Sequence, residues 1–155
     1  MSLELRPLRA AEFEDWLTGW SAWYAHDLEV HGGLRPAAAR EKADRDMGAA
    51  FPDGFLSKGN VLLAIVDAGA SVGVIWFAER EERGRRHAFL YAISIDEERR
   101  GHGLGRGAML ALEEDVRARG LDRIELNVFG GNSVARGLYG SLGYTDTFVS
   151  MGKDL

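Results

Sequence analysis

The sequence of 155 residues has no cysteine. Disulfide staples and thiolate metal sites are therefore excluded, and a reducing cytoplasm is the expected setting. Proline occurs three times, each time where a boundary suits it: Pro7 at a sheet edge, Pro36 in a first helical turn, and Pro52 in a turn. Lysine is limited to Lys42, Lys58 and Lys153, and the excess of arginine reads as genome composition. No apolar run approaches the ~18 residues of a membrane span. Residues Met1 to Arg9 mix leucine with charges and lack the apolar block of a signal peptide. The formal net charge of −5 disfavours nonspecific nucleic-acid binding and mildly attracts cations.

What is present is enough for one compact domain, expected over residues 1–155. Apolar residues make up 46% of the chain, so a core can form. Leu3, Leu5 and Leu8 mark a short strand. Phe13, Trp16, Leu17, Trp20, Trp23, Tyr24 and Leu28 recur every three or four residues, which predicts an amphipathic helix or helix pair ended by Gly32 and Gly33. A second helix is expected from Pro36 to Ala50. Val61 to Val66 and Val72 to Ala78 read as an antiparallel hairpin around Asp67-Ala68-Gly69-Ala70. Glu79 to Arg86 reads as a charged connection at a solvated hairpin tip, because its charges alternate in sign. His87 to Ile95 is the next strand. A helix carrying Met109, Leu112 and Val116 follows and stops at Gly120. Ile124 to Phe129 is a strand, and Asn132 or Ser133 caps a short helix closed by Gly143. Phe148 to Leu155 is expected as a last strand. The order predicts a mixed α/β or α+β sheet.

The most informative segment is Arg100-Gly101-His102-Gly103-Leu104-Gly105-Arg106-Gly107. Alternate glycines let backbone N–H groups approach a ligand, and the helix that starts there aims its unpaired N–H groups at the same spot. A diphosphate suits such a cradle. A Walker loop fails for want of Gly-Lys-Ser/Thr. Gly103, Gly105 and Ala108 fit a loose dinucleotide pattern, but the segment follows antiparallel-looking strands and lacks the acidic residue expected near the end of the next strand, Glu125 being mid-strand.

The stretch from Ile93 to Gly105, with Arg100, Gly103 and Gly105 as its Arg/Gln-x-x-Gly-x-Gly/Ala pattern, resembles motif A of the GNAT superfamily of N-acetyltransferases. Leu126 to Tyr139 resembles the family's motif B, and Leu142-Gly143-Tyr144 is a frequent family ending. The likeness covers the chain from about residue 86 onward. It implies a mixed, mostly antiparallel central sheet with splayed parallel strands 4 and 5, flanked by helices. It implies acetyl-coenzyme A as co-substrate, lying between His87–Ile95 and Ile124–Phe129. Ile93, Ser94 and Ile95 would pair with the pantetheine arm. Arg100, Gly101, His102, Gly103, Leu104, Gly105 and Arg106 would hold the diphosphate, and Asn132 would bond the cofactor arm besides capping its helix. Tyr139 matches the family tyrosine that protonates the leaving thiolate.

The base that takes the amine's proton is less determined. Some relatives carry a carboxylate where this chain has Ala92. His87 stands near where histone-acetylating relatives carry a catalytic Glu, and Glu79, Tyr91 and Glu125 are other candidates. His26 and His31 show no metal-like grouping, so no metal is expected. The expected reaction is acetyl transfer to a primary amine of a small molecule or peptide by direct attack, there being no cysteine to carry an acetyl-enzyme. The alternatives are a longer acyl group or a non-catalytic coenzyme A sensor. The expected protein engages neither nucleic acid nor membrane and is a monomer or homodimer.

Overall fold

A computed structural model describes residues 3–155. The elements are β1 (Glu4–Pro7), α1 (Ala10–Val30), α2 (Pro36–Ala50), β2 (Val61–Asp67), β3 (Ala70–Glu82), β4 (Arg85–Ile95), α3 (Leu104–Ala118), β5 (Ile124–Leu126) and α4 (Ser133–Ser141). The five strands form one sheet in chain order. The first four pair antiparallel, and β5 lies parallel to β4. This is the mixed, mostly antiparallel sheet expected, with helices on both faces.

Strand alternation sorts the core into two layers. Ile75 and Phe77 of β3 turn to one face, where Leu104, Ala108, Met109, Leu112 and Val116 of α3 cover them. Val74 and Trp76 turn to the other, where Phe13, Trp20, Met47 and Phe51 close over them. Residues Val72 to Ala78 are consequently buried on both faces, and at about 25 cal/mol per Å² this double burial is the main apolar anchor of the sheet. Asn60 fastens the second layer with side-chain bonds. It accepts a bond from the Trp76 indole (2.8 Å) and donates one to the Ala50 carbonyl at the end of α2 (3.0 Å).

The helical wall begins at a polar clamp. Arg6 of β1 donates two bonds to the Glu12 carboxylate, at 2.9 and 2.6 Å. Glu12 also accepts from the Arg9 backbone N–H at the start of α1 (2.9 Å), satisfying an orphan donor. α1 is one continuous helix of 21 residues, so the helix-pair alternative is set aside. α2 begins with Pro36 in its first turn, as expected.

Two departures from the expected pattern have physical causes. The charged run Glu79 to Arg86 is strand except for its tip: β3 continues to Glu82 and β4 starts at Arg85. The turn itself is Arg83-Gly84, both at positive φ, the twist that two-residue hairpins prefer. Opposite charges pair across the ladder, as Arg86 with Glu79 (2.6 Å), so alternating sign signals a cross-strand ladder here. The second departure is Phe148 to Leu155, which forms no strand. Phe148 and Met151 are exposed, and β5 offers a strand edge only three residues long.

A bulge shapes the site. Trp76 pairs with Ala92 and Phe77 with Leu90, so Tyr91 is the extra residue in β4. A bulge bends its strand and re-aims side chains. Leu90 therefore joins the α3 layer while Ala92 joins the α1–α2 layer, and the exposed Tyr91 side chain between them is left for the cleft.

Candidate active site

Parallel pairing of β4 with β5 is short. It joins Ala88–Leu90 to Ile124–Leu126 and stops. Beyond it Asn127 to Phe129 leave the sheet, so the strand expected over 124–129 is only its first half. The edge of β4 from Tyr91 to Ile95 has no strand partner on that side among the described residues. Buried backbone groups require partners, and a gap between diverging strands keeps this edge available to a ligand. The gap opens into a cleft of about 1260 Å³, lined by Ile93, Ser94, Ile95, Asn132 and Tyr139 and, toward α1, by Trp16, Trp20, Trp23 and Asp27.

The glycine loop closes one end. Gly101 and Gly103 both have φ +78°, with nothing within 4 Å of where a Cβ would stand. A side chain there would be strained and would project into open space. Gly103 caps α3, whose first backbone bond runs from the Gly107 N–H to the Gly103 carbonyl (3.1 Å). Every backbone N–H from Gly101 to Arg106 lacks an acceptor among the described residues. Successive unpaired donors at the positive end of a 15-residue helix make an anion cradle. A diphosphate fits this donor set; nothing acidic on the loop itself opposes it.

The side chains of the loop divide. Arg100, Gly101, Gly103, Leu104 and Gly105 line the cleft. The Arg100 Nε–H is tied back to the Ile95 carbonyl (2.9 Å). Arg106 turns to α4 and donates to the Ser141 hydroxyl (2.8 Å). His102 and Arg106 are not among the cleft-lining residues, so their part in the cradle is their backbone N–H. The Ser94 hydroxyl donates to the Val74 carbonyl (3.2 Å). Ser94 pairs with Val74 in the β3–β4 ladder and its carbonyl faces Gly73. Of the three β4 residues expected to meet the cofactor arm, Ile93 and Ile95 therefore turn their backbone groups to the gap and Ser94 does not.

On the opposite wall, Asn132 caps α4 by accepting from the Ala135 N–H (3.2 Å), while its side-chain NH₂ stays free to donate. Tyr139, one face of α4 onward, lines the cleft with its ring 5.8 Å from that of Tyr144. Burial raises the Tyr139 phenol above its usual value, and no protein group among the described residues bonds its hydroxyl. The phenol is thus protonated across the neutral range and free to donate.

His87 is placed elsewhere. It is buried at the start of β4, with Nε2 3.4 Å from Glu125, and does not line the cleft with Tyr139. Arg123 also holds Glu125 (2.8 Å) and, against the cost of burial, keeps its carboxyl below the usual range. Glu79 is held by Arg86. Of the proposed bases only Tyr91 reaches the cleft. Glu82, His87 and Glu125 have ligand atoms within 4.8 Å of one another, a grouping the sequence did not reveal; the guanidinium of Arg123 on Glu125 competes there with any cation.

The wall from α1 and α2 carries the carboxylates Asp15, Asp27 and Asp46. Burial raises the Asp27 carboxyl, partly offset by His31 and His26. Burial also pushes Asp46 upward, but hydrogen bonds from Lys42 and Tyr24 outweigh it and leave its pKa low. Asp46 is therefore spent within the protein, whereas Asp27 can meet a ligand. Trp76 stacks on Tyr91 (4.6 Å, 22°) and meets Trp16 edge-on (5.9 Å), so the bulge residue completes an aromatic floor.

The glycine turn into α3, the diverging strands β4 and β5 and the Tyr139 phenol border one cleft. The model of the acetyltransferase (GNAT) family matches residues 17–144. The chain belongs to the GNAT acetyltransferase family. It is 29% identical over 156 residues to the N-acetyltransferase YycN of Bacillus subtilis strain 168, spanning 100% of both chains. It is 30% identical to the mycothiol acetyltransferase of Pseudarthrobacter chlorophenolicus over 92% of this chain and 42% of that protein. The crystal structure of YycN superposes with a TM-score of 0.92 at 28% identity, covering 99% of each chain. This GNAT chain is thus an acyltransferase, and acetyl-coenzyme A is its family's co-substrate. No helix among the described residues is long and apolar enough to cross a membrane.

Proposed function

We propose that the chain, as one catalytic domain over residues 1–155, transfers the acetyl group of acetyl-coenzyme A to a primary amine of a small molecule or peptide within a ternary complex. The observation that carries this reading is the unbroken run of acceptorless N–H groups from Gly101 to Arg106 at the mouth of the β4–β5 gap. Those donors would grip the diphosphate. The gap-facing backbone groups of Ile93 and Ile95 would pair with the pantetheine amides, and the Asn132 NH₂ would add a bond to the same arm. The thioester would then lie between the β4 bulge and Tyr139.

The amine enters from the α1 side. Asp15 and Asp27 line that wall and draw a cationic acceptor. The amine must lose a proton to attack, and an open cleft lets water carry it away. Attack on the thioester carbonyl forms the C–N bond and breaks the C–S bond. The leaving thiolate takes the Tyr139 proton, which burial reserves for a strong acceptor. His87 is not carried into this mechanism, because it lies outside the cleft. We place the protein in the cytoplasm, as a monomer or homodimer. A coenzyme A sensor would have no need of an unbonded phenol at this position, which favours catalysis.

The test is a panel of amines, amino acids, polyamines, aminoglycosides and peptides, reading free thiol release, with parallel calorimetric titrations of acetyl-coenzyme A and NAD. We expect binding of acetyl-coenzyme A and acceptor-dependent thiol release. Binding of NAD in its place, or cofactor binding with no turnover on any amine, would reject the transferase reading.

A further inference from the structure

Most arginines outside the glycine loop that sit beside the sheet already hold a carboxylate: Arg85 with Asp122, Arg86 with Glu79, Arg123 with Glu125. Arg80 of β3 does not. It lines the cleft with Phe89 and Tyr91 and forms no ion pair among the described residues. Its guanidinium lies 3.9 Å from the centroid of the Phe89 ring and donates an N–H to the Tyr91 hydroxyl. Glu125, which pairs with Phe89 across the sheet, is taken by Arg123.

A guanidinium stacked on one aromatic ring and aimed by a phenol has lost much of its rotamer freedom before any ligand arrives. The bulge that expels Tyr91 from the ladder is what supplies that phenol. Arg80 retains N–H donors in a planar fork suited to a bidentate anion. It is also distinct from the cradle: Arg99 and Arg100 line the other end of the cleft, Arg99 held by Asp67 (2.6 Å) and Arg100 by the Ile95 carbonyl. The cofactor's phosphates lie at that far end, so Arg80 faces the acceptor.

We infer that the acceptor carries a carboxylate beside its amine, and that Arg80, stacked on Phe89 and oriented by Tyr91, binds that carboxylate. This rests on the transferase reading above and specifies its substrate class. With Asp27 on the opposite wall, the cleft presents one sign of charge from β3 and the other from α1. A zwitterionic amine would therefore enter in one orientation.

The experiment compares kcat/KM for amino acids and short peptides with free carboxylates against their C-terminal amides, with a phosphomonoester amine as a third arm. The wild-type protein should prefer the acid over its amide by about tenfold to a hundredfold, the range for a charge-assisted bidentate contact. Arg80→Gln should erase that preference while the dissociation constant for acetyl-coenzyme A stays unchanged, and Arg80→Lys should restore only part of it. Tyr91→Phe should raise KM for the acid more than it lowers kcat, as expected of a positioning residue. Equal turnover of acid and amide by the wild-type protein would overturn this inference while sparing the transferase reading, as would preference for the phosphomonoester. No turnover on any amine would overturn both. The wild-type comparison needs no variant, so a destabilised Arg80→Gln protein cannot hide the answer.

Discussion

The two ends of the cleft are built by different means. At the glycine loop the donors are backbone N–H groups, fixed by helix geometry and by positive φ at Gly101 and Gly103. At the other end the lining is side chains: Trp16, Trp23 and Asp27 of α1 with Arg80 and Tyr91 of the sheet. Backbone recognition cannot be tuned one residue at a time without disturbing the fold. Side-chain recognition can. A fixed cofactor and a variable acceptor are what such a division serves, and each half should fail in its own manner when altered.

The largest effect should come from the loop. Gly103→Val places a branched side chain at φ +78° in the space proposed for the diphosphate. Strain of this kind costs about 1–3 kcal/mol, and the blocked cradle should weaken acetyl-coenzyme A binding by at least about a hundredfold. Calorimetric titration beside a far-ultraviolet dichroism spectrum checks it. A folded variant that still binds tightly would show that the diphosphate lies elsewhere.

Next comes Tyr139→Phe, which removes the proposed proton donor and little else, since no group among the described residues bonds that hydroxyl. Turnover should fall about a hundredfold, at the low end for general acid catalysis, with cofactor affinity changed less than about threefold. Burial raises this phenol's pKa, so it donates throughout neutral pH and loses its proton only above the ordinary tyrosine range. The wild-type kcat should therefore decline at strongly alkaline pH, and the variant should lack that decline. Matching pH profiles would assign the acid role to another group.

Legibility in the sequence follows the same division. The glycine turn into α3 was readable because positive φ and a helix start leave their mark in glycine spacing, and α2 because Pro36 and Pro52 punctuate it. Arg80 was not readable. It sits in a run of alternating charges, and its significance depends on Phe89 and Tyr91 being brought beside it by strand register and a bulge. His87 was misleading for a related reason: strand position suggested the cleft, but the side chain is buried against Glu125. The apolar residues of 148–155 look strand-like, yet a strand needs an edge to join, and β5 supplies only three residues. Asp27 reads as an ordinary helix acid until the sheet closes over one side of α1.

A smaller effect isolates the acceptor wall. Trp23 is 39% exposed, lines the cleft and stacks on Trp20 at 4.8 Å. Its replacement creates no core cavity, unlike loss of Trp16 or Trp76. Trp23→Ala should lower kcat/KM for a cationic acceptor about fivefold, near the ~1 kcal/mol of an exposed cation–π contact, and leave cofactor affinity untouched. Loss of cofactor binding in this variant would mean that the two ends are coupled.

The smallest expected change lies outside the cleft and tests how α1 is held. The Arg6 hydrogen bonds, with one from the Arg9 backbone, lower the Glu12 carboxyl to about 2. A depressed carboxyl stabilises the fold fully above its unfolded pKa of about 4.5, and the contribution is lost as pH falls through about 2. Glu12→Gln should therefore cost about 1 kcal/mol at neutral pH, the scale of a well-formed partly exposed ion pair with a helix cap, or about 2–4 °C in Tm. The gap between variant and wild type should shrink steadily below pH 4.5 in thermal melts. A gap independent of pH would mean that Glu12 acts through packing and not through its charge. A simultaneous loss of acceptor affinity, with cofactor affinity intact, would show that the entry angle of α1 sets the position of Trp23 and Asp27.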